Sequence, residues 1–394
     1  MTHEVMWIWG GLAAGIVLVA GGLAWSLLSS PLTAGQARDA LTKRVQALQR
    51  KSPRLAQTRM LVLSPSFSGD FGAAAEQPFH VASMGKLFTT MLITQLVEQG
   101  KLRWDSRLVE LLPPETLENL FVAGRVDYRD QVTLEHLLAH TSGIGDYFAG
   151  PVRGGKPVVE QIALEPQKVW TPQELLEVTR TGQTAHFAPG KGFLYSDSGF
   201  VVLGLVVEAV YGKPFVEVVH QRIFGPLGMD HSYFPFRTRP ARATAPLSPV
   251  WVNGTEFSHS PALSADWAGG GVASTTADLL KFGSALMEGR LVSPETLEYL
   301  SQPLNRFERV IRYGRGMMRL RFADFFPLLS AYPDMIGHMG ILGTQLFFDP
   351  KSKTVVVISL GSTGHMEDSV RLLIEVVGVL RRLGPSSATS TSAG

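Results

Sequence analysis

The chain of 394 residues has no cysteine. That excludes disulfides, thiol nucleophiles, thiolate metal sites and acylated-cysteine anchors, and it fits either redox compartment. Basic blocks are missing too: 36 Lys and Arg against 34 Asp and Glu leave a formal charge of +2 spread along the sequence. Such a distribution lacks the electrostatic footprint of a nucleic-acid binder, and a small neutral or mixed substrate fits it better. No internal repeat is present, and no cofactor motif completes itself. Gly85-Lys86 is followed by Leu87 and lacks the earlier glycine of a phosphate loop. His136 and His140 stand four apart on an expected helix, a spacing that can bind zinc, but position 137 is Leu where a zinc protease needs its Glu. They read as satisfied structural histidines, and neither a metal nor a cofactor is expected.

Charge is absent in one further place. Residues 6–28 run for 23 residues without a charged side chain, enough at about 1.5 Å per residue to cross a hydrocarbon core. Trp7, Trp9 and Trp25 stand near its ends, where an aromatic belt would place them. A cleaved signal peptide wants a basic start, and here His3 and Glu4 take that position. Residues 1–30 therefore read as a single-pass transmembrane anchor, with a cleaved signal or a buried core helix as the alternatives. Arg38, Lys43 and Arg44 follow the span and no Lys or Arg precedes it, which by the positive-inside rule puts the rest in the cytoplasm. Residues 31–58 are polar and basic, with a loose helical spacing at Ala37, Leu41, Val45 and Leu48, and they read as a stalk. The globular part is expected over 59–383. The Ser/Thr/Ala/Gly tail at 384–394 cannot bury a core and is expected to be disordered.

Within 59–383 the pattern alternates between short apolar runs and helical spacing. Met60 to Leu63 is a strand candidate, and Phe79 to Ala82 leads into a helix whose apolar face is Met84, Leu87, Phe88, Met91, Leu92 and Leu96, stopped at Gly100. Ser83 thus falls in a helix's first turn. Thr171-Pro172-Gln173-Glu174 is a capping box with proline at the first helical position, Thr275 with Asp278 is a weaker one, and 198–211 is an apolar helix closed by Gly212. Thr344 to Asp349 and Thr354 to Leu360 make an antiparallel hairpin, the second arm apolar enough to lie centrally in a sheet. A helix over 367–383 follows, acidic at its start and basic at its end. The long Pro- and Gly-rich connections 150–166 and 237–264 are of the kind that cover a site.

Ser83-Met84-Gly85-Lys86 is a Ser-x-x-Lys. Residues three apart on a helix share a face, so the ammonium lies beside the hydroxyl. A first-turn serine also has free N–H groups near it for a developing oxyanion. Alone, the tetrapeptide equally describes a capping serine and a surface lysine. Tyr195-Ser196-Asp197 before a buried helix, and His338-Met339-Gly340 before a hairpin, follow it in order, and so do Thr133 to Gly143 and Gly269-Gly270-Gly271 with Ser274-Thr275. With these five stretches the sequence resembles the class C β-lactamase and penicillin-binding superfamily, which includes carboxypeptidases, esterases and D-aminopeptidases.

The resemblance implies an α/β (α+β) fold: an antiparallel sheet flanked by helices, beside a mainly helical lobe, with the site between them. It implies that Ser83 attacks an acyl carbon, that Lys86 and Tyr195 form the proton-transfer pair, and that the N–H groups of Ser83 and Ile341, just past Gly340, hold the oxyanion. A nearby ammonium favours phenolate, which would make Tyr195 a usable base. His338 stands where many relatives carry lysine; it can hydrogen-bond the tyrosine but offers less positive charge to a substrate carboxylate. Asp197 replaces the usual asparagine, accepts hydrogen bonds only, and suits a substrate amine, an ion pair with Lys86, or a loop N–H. The Gly269 to Gly271 run lets backbone pass close to the site. The expected activity is cleavage of an amide or ester in a D-amino-acid peptide or small ester through a seryl acyl-enzyme. A β-lactamase and a slow-turnover penicillin sensor are the alternatives. By the same resemblance the catalytic part is extracytoplasmic, against the vote of the basic flank.

Overall fold

The computed structural model describes residues 30–383, except 309, 325–328 and 331. The strands that place the site are β1 Arg59–Ser64, β2 Phe67–Gly72, β3 Phe79–His80, β4 Ala273–Ser274, β5 Asn305–Arg306, β6 Ile311–Tyr313, β7 Met318–Leu320, β8 Met335–Gly340, β9 Thr344–Asp349 and β10 Thr354–Ser359. Eight of them form one sheet in the order β2-β1-β10-β9-β8-β7-β6-β5, with every neighbouring pair antiparallel. β3 and β4 pair separately. The helices used below are α1 Ala34–Lys51, α2 Lys86–Glu98, α3 Leu134–Leu138, α4 Pro172–Gly182, α5 Asp197–Tyr211, α6 Trp267–Gly270, α7 Thr276–Met287 and α8 Met366–Arg381.

β10 is buried along its whole length because the sheet is covered on both faces. Successive side chains alternate between faces. Val355, Val357, Leu346 and Phe348 enter the larger core, which they share with α2, α5 and α7. Val356, Ile358 and Phe347 enter a second core with α1 and α8. The same period along β8 sends Ile336 to the larger core, and with it His338 and Gly340, while Met335 and Met339 go to the second. The helical lobe follows the expected punctuation: Thr171 caps α4 in a reciprocal box with Glu174, Thr275 accepts from the Asp278 N–H at the start of α7, and Gly212 ends α5 at φ +63°.

One expectation is corrected. The segment 31–58 is not a free stalk, because α1 packs on the sheet and against α8. Ala37, Leu41, Val45 and Leu48 are all buried, Arg44 and Lys51 pair with Glu375 and Asp368 of α8, and the Leu32 N–H reaches the Arg382 carbonyl at 2.7 Å. The stripe is only one residue wide per turn on an otherwise charged helix, so it reads weakly in sequence although it is fully used in the fold. Among the described residues the folded unit therefore includes the segment from Leu32 onward. Among the described residues no single helix is long and apolar enough to cross a membrane. The expected span at 6–28 and tail at 384–394 lie outside the described residues.

If α1 is integral to the core, Leu41→Ala lowers the unfolding free energy by about 2–5 kcal/mol, the range for emptying a buried leucine site. Urea denaturation measures it, and a change under 0.5 kcal/mol, as at a surface position, would restore the stalk.

Candidate active site

The site begins with a strained turn. After β3 the chain passes through Ala82 at φ +50°, a left-handed conformation that costs a non-glycine residue about 1–2 kcal/mol. A 3-10 turn, Ala82–Gly85, then carries Ser83 directly into α2. Several contacts hold the turn. The Ala82 N–H donates to His80 Nδ1 at 3.2 Å, the Val81 N–H to the Val272 carbonyl at 2.9 Å, and the Thr344 hydroxyl to the Val81 carbonyl at 2.7 Å. α6 presses on the turn backbone to backbone. A Cβ on Gly270 would stand 2.5 Å from the Ala82 carbonyl oxygen, and one on Gly85 would stand 2.8 Å from the Gly270 Cα. The glycine run works as the sequence suggests.

Lys86 is completely buried, and its three ammonium protons find three acceptors. Nζ donates to Ser83 Oγ at 3.0 Å, to the Gly269 carbonyl at 2.9 Å and to Asp197 Oδ1. The rings of Tyr195 and Phe200 lie 5.0 and 5.3 Å from the same nitrogen. Asp197 is the first residue of α5, and its N–H donates to Asp146 Oδ1 at 3.0 Å. Of the three roles open to Asp197, the ion pair with Lys86 is the one the structure shows. Burial and the Asp197 charge raise the Asp146 carboxyl to about 6.

Ser83 Oγ accepts from Lys86, and the Tyr195 phenol lies near enough to the Ser83 hydroxyl to be influenced by it. Burial and the charge of Asp197 hold the phenol well above its ordinary value of 10. The expectation of a ready phenolate is thereby corrected: Asp197 accompanies Lys86, so Tyr195 meets an ion pair instead of a lone ammonium, and desolvation prevails. Tyr195 packs on His140, whose ring centroid is 4.3 Å away, and on Phe307 and Tyr313.

His338 is in the site but partnered differently from expectation. Its Nδ1 faces the Met339 carbonyl at 2.7 Å and must donate there, which leaves Nε2 to accept from the Tyr313 hydroxyl at 3.1 Å. Tyr195 and His338 have ring centroids 6.5 Å apart. Burial and Lys86 depress the imidazole to about 3, so it is neutral and supplies no cationic handle. Gly340 allows the end of β8 to close on the Ser83 turn: a Cβ there would be 2.7 Å from the Val81 carbonyl and 2.8 Å from the Ala82 Cβ. Ile341 follows immediately, and among the described residues its N–H makes no hydrogen bond.

The two histidines at zinc spacing part company. His136 Nδ1 accepts from the Thr133 N–H and caps α3. His140 lies beyond α3 at φ +56°, accepts from the Ser196 N–H at 3.1 Å, and is left with a buried, unpartnered Nε2 against Tyr195. It belongs to the wall of the site, and so do Tyr313, Asp146, His80 and Asp266, none of which the sequence reading placed there. Of these only His140 carried a signal, since it stands within the Thr133 to Gly143 stretch.

A sheet and a helical lobe that enclose a serine, a buried lysine and a tyrosine define a serine–lysine centre. The Beta-lactamase family model matches residues 68–376, and the chain belongs to that family. Penicillin-binding protein 4* of Bacillus subtilis (strain 168) is 27% identical over 253 residues, 60% of this chain and 51% of that protein. The chain spans about half the length of the first curated relatives it matches. Among solved structures, a D-stereospecific amidohydrolase from Streptomyces sp. superposes with a TM-score of 0.68 at 23% identity, covering 84% of this chain and 97% of that one. D-amino acid amidase from Ochrobactrum anthropi SV3 gives 0.67 at 21%, covering 87% and 99%. At these identities the likeness is one of fold.

Two measurements test the site. Gly270→Ala should displace the nucleophile turn and slow labelling of Ser83 by a fluorophosphonate about 10²-fold, the effect of a 1 Å misplacement; an unaltered rate would show that the contact has slack. The second concerns pH. His80 and His338, depressed to about 4 and about 3, stay neutral in the folded chain, whereas an unfolded imidazole titrates near 6.5. Below pH 6.5 the unfolded state binds more protons, so this share of stability is full above 6.5 and is lost as pH falls towards 4 and 3. Asp146 and Asp266, raised to about 6 and about 7, act oppositely: their share is full below 3.8 and is lost as pH rises through 6 and 7. His338→Gln should therefore reduce the slope of unfolding free energy against pH, between 6 and 4, by about 1.4 kcal/mol per unit. An identical slope in parent and variant would mean that the ring protonates in the native state.

Proposed function

We propose that the protein is a serine hydrolase that cleaves an amide or ester bond through a seryl acyl-enzyme, acting on a D-amino-acid peptide or amide, or on a small ester. One observation carries this reading: a fully buried ammonium donates to the Ser83 oxygen at 3.0 Å, and the Tyr195 ring lies 5.0 Å from the same nitrogen. A capping serine beside a surface lysine would need neither burial nor the tyrosine. As Oγ bonds to the acyl carbon, its proton passes to the Tyr195 oxygen while the phenol proton passes to the departing nitrogen or oxygen, so no free phenolate forms. Lys86 steadies the negative charge on Oγ throughout. The oxyanion would rest on the N–H groups of Ser83, in the first turn, and of Ile341. Water then retraces the path: it gives its proton to Tyr195, and Ser83 leaves with one.

Support for an amide or ester over a β-lactam comes from His338. A neutral imidazole bound to Tyr313 leaves that position without the cation that would recognise a carboxylate. The amidohydrolase and amidase neighbours agree in fold. We also infer that the 6–28 segment tethers the domain to a membrane, with the domain extracytoplasmic. The support is the length of that uncharged run and the location of penicillin-binding relatives.

The test compares parent and Ser83→Ala on nitrophenyl esters, D-alanyl peptides and amides, and nitrocefin. Turnover of the first two classes, abolished in the variant, with nitrocefin poor or inert, is the expected outcome. Rates shared by parent and variant on every substrate would end the assignment. Efficient nitrocefin turnover would make the protein a β-lactamase, and a persistent penicillin adduct without turnover would make it a sensor.

A further inference from the structure

Beside the nucleophile turn lies a recess bounded by His80 and Ala82 on one side, Ile341 on another, and Ile162, Val250 and Leu263 from the long connections. It leaves about 20 Å³ to the centre of a water-sized group, room for one small polar head on a short carbon stem. The walls are mostly apolar; of the polar exceptions, the Thr363 hydroxyl accepts from the Asn253 N–H, and the other two face each other. The Asp266 carboxylate stands 3.8 Å from His80 Nε2, with 22% of its side chain exposed against 1% for the histidine. His80 Nδ1 already accepts from the Ala82 N–H, so Nε2 bears the proton, and that buried N–H has no hydrogen-bond partner. Among the described residues Asp266 receives no hydrogen bond either. A buried imidazole N–H without a partner, beside a part-exposed carboxylate that accepts no bond from the protein, forms an incomplete set that a guest would complete.

The charge of the guest follows from the surroundings. Within electrostatic reach of one another lie three carboxylates, Asp146, Asp197 and Asp266, and one ammonium, Lys86. The nearby histidines His80, His140 and His338 are all kept neutral by burial. Lys86 is committed to Asp197, and burial together with Asp197 raises the Asp266 carboxyl to about 7. The local excess is negative, which repels a substrate carboxylate and attracts a cation. Neither Tyr195, which serves the leaving group, nor Lys86, which faces Ser83 Oγ, lines the recess, whereas Ala82 and Ile341, on the oxyanion side, do. A group in the recess therefore belongs to the acyl half of the substrate.

We propose that this recess is a subsite for a primary ammonium on the acyl half, with Asp266 as counter-ion and specificity residue, so that the preferred substrates are α-amino amides or α-amino esters. The His80 N–H orients one carboxylate oxygen and the other accepts from the ammonium. The inference rests on the seryl-hydrolase reading and narrows it to one substrate class.

The test uses the full chain and matched nitroanilides: those of D- and L-alanine against propionyl nitroanilide, which lacks only the ammonium. For at least one hand of alanine, kcat/KM should exceed that of the propionyl compound by about 10- to 100-fold, as for a hydrogen bond to a charged group. In Asp266→Asn the ratio should fall towards one. A merely structural Asp266 would lower both rates and leave the ratio intact, which would overturn the proposal. A ratio at or below one in the parent overturns it whatever the variant does. Nitrophenyl butyrate serves as the control: hydrolysis of that ester with a ratio near one defeats the subsite alone, whereas no Ser83-dependent turnover of any substrate defeats the hydrolase reading and the subsite with it.

Discussion

An ammonium without solvent access is among the least tolerated groups in a protein interior unless every proton is matched. At Lys86 the match is complete, and much of the surrounding architecture exists to make it. Asp197 is available because α5 starts at that residue. The Gly269 carbonyl is available because a run of glycines lets α6 touch the Ser83 turn without a Cβ between them. Ser83 is the third acceptor, so the same bonds that make the buried charge tolerable also aim it at the serine oxygen.

The strain at Ala82 belongs to the same arrangement. A left-handed alanine persists only where its surroundings over-determine it. Here β3, α6 and the edge of β8 and β9 all bear on residues 81 and 82 through His80, Gly270, Gly340 and Thr344. His80 links this scaffold to the recess, because one ring nitrogen fixes the turn while the other faces Asp266. In the proposed reading, substrate selection and the placement of Ser83 are thus coupled through one side chain.

Much of the helical punctuation was readable beforehand because it is local. Thr171 with Glu174, Gly212 and the hairpin between β9 and β10 each declare themselves within a few residues. The four strands β5 to β8 did not, since three of them have two or three residues and His338 and Gly337 interrupt the apolar pattern of the fourth. α1 reads as a stalk in sequence for a related reason: a narrow apolar stripe on a charged helix acquires meaning only from the sheet it covers.

The primary structure by itself set out the groups proposed to react: Ser83 and Lys86 one helical turn apart by short-range spacing, and Tyr195 and the glycines that keep the approach open by the order of their motifs along the chain. Which state those groups hold was decided by tertiary structure. Tyr195 remains a phenol because burial, and then the Asp197 charge that accompanies Lys86, disfavour its ionised form. His338 is neutral and bound to Tyr313 because both are buried between the sheet and the lobe. Asp266 enters the site only because residues 80, 266 and 341 converge there. Protonation and partnership depend on desolvation and on charges distant in sequence, and neither quantity exists until the chain has folded.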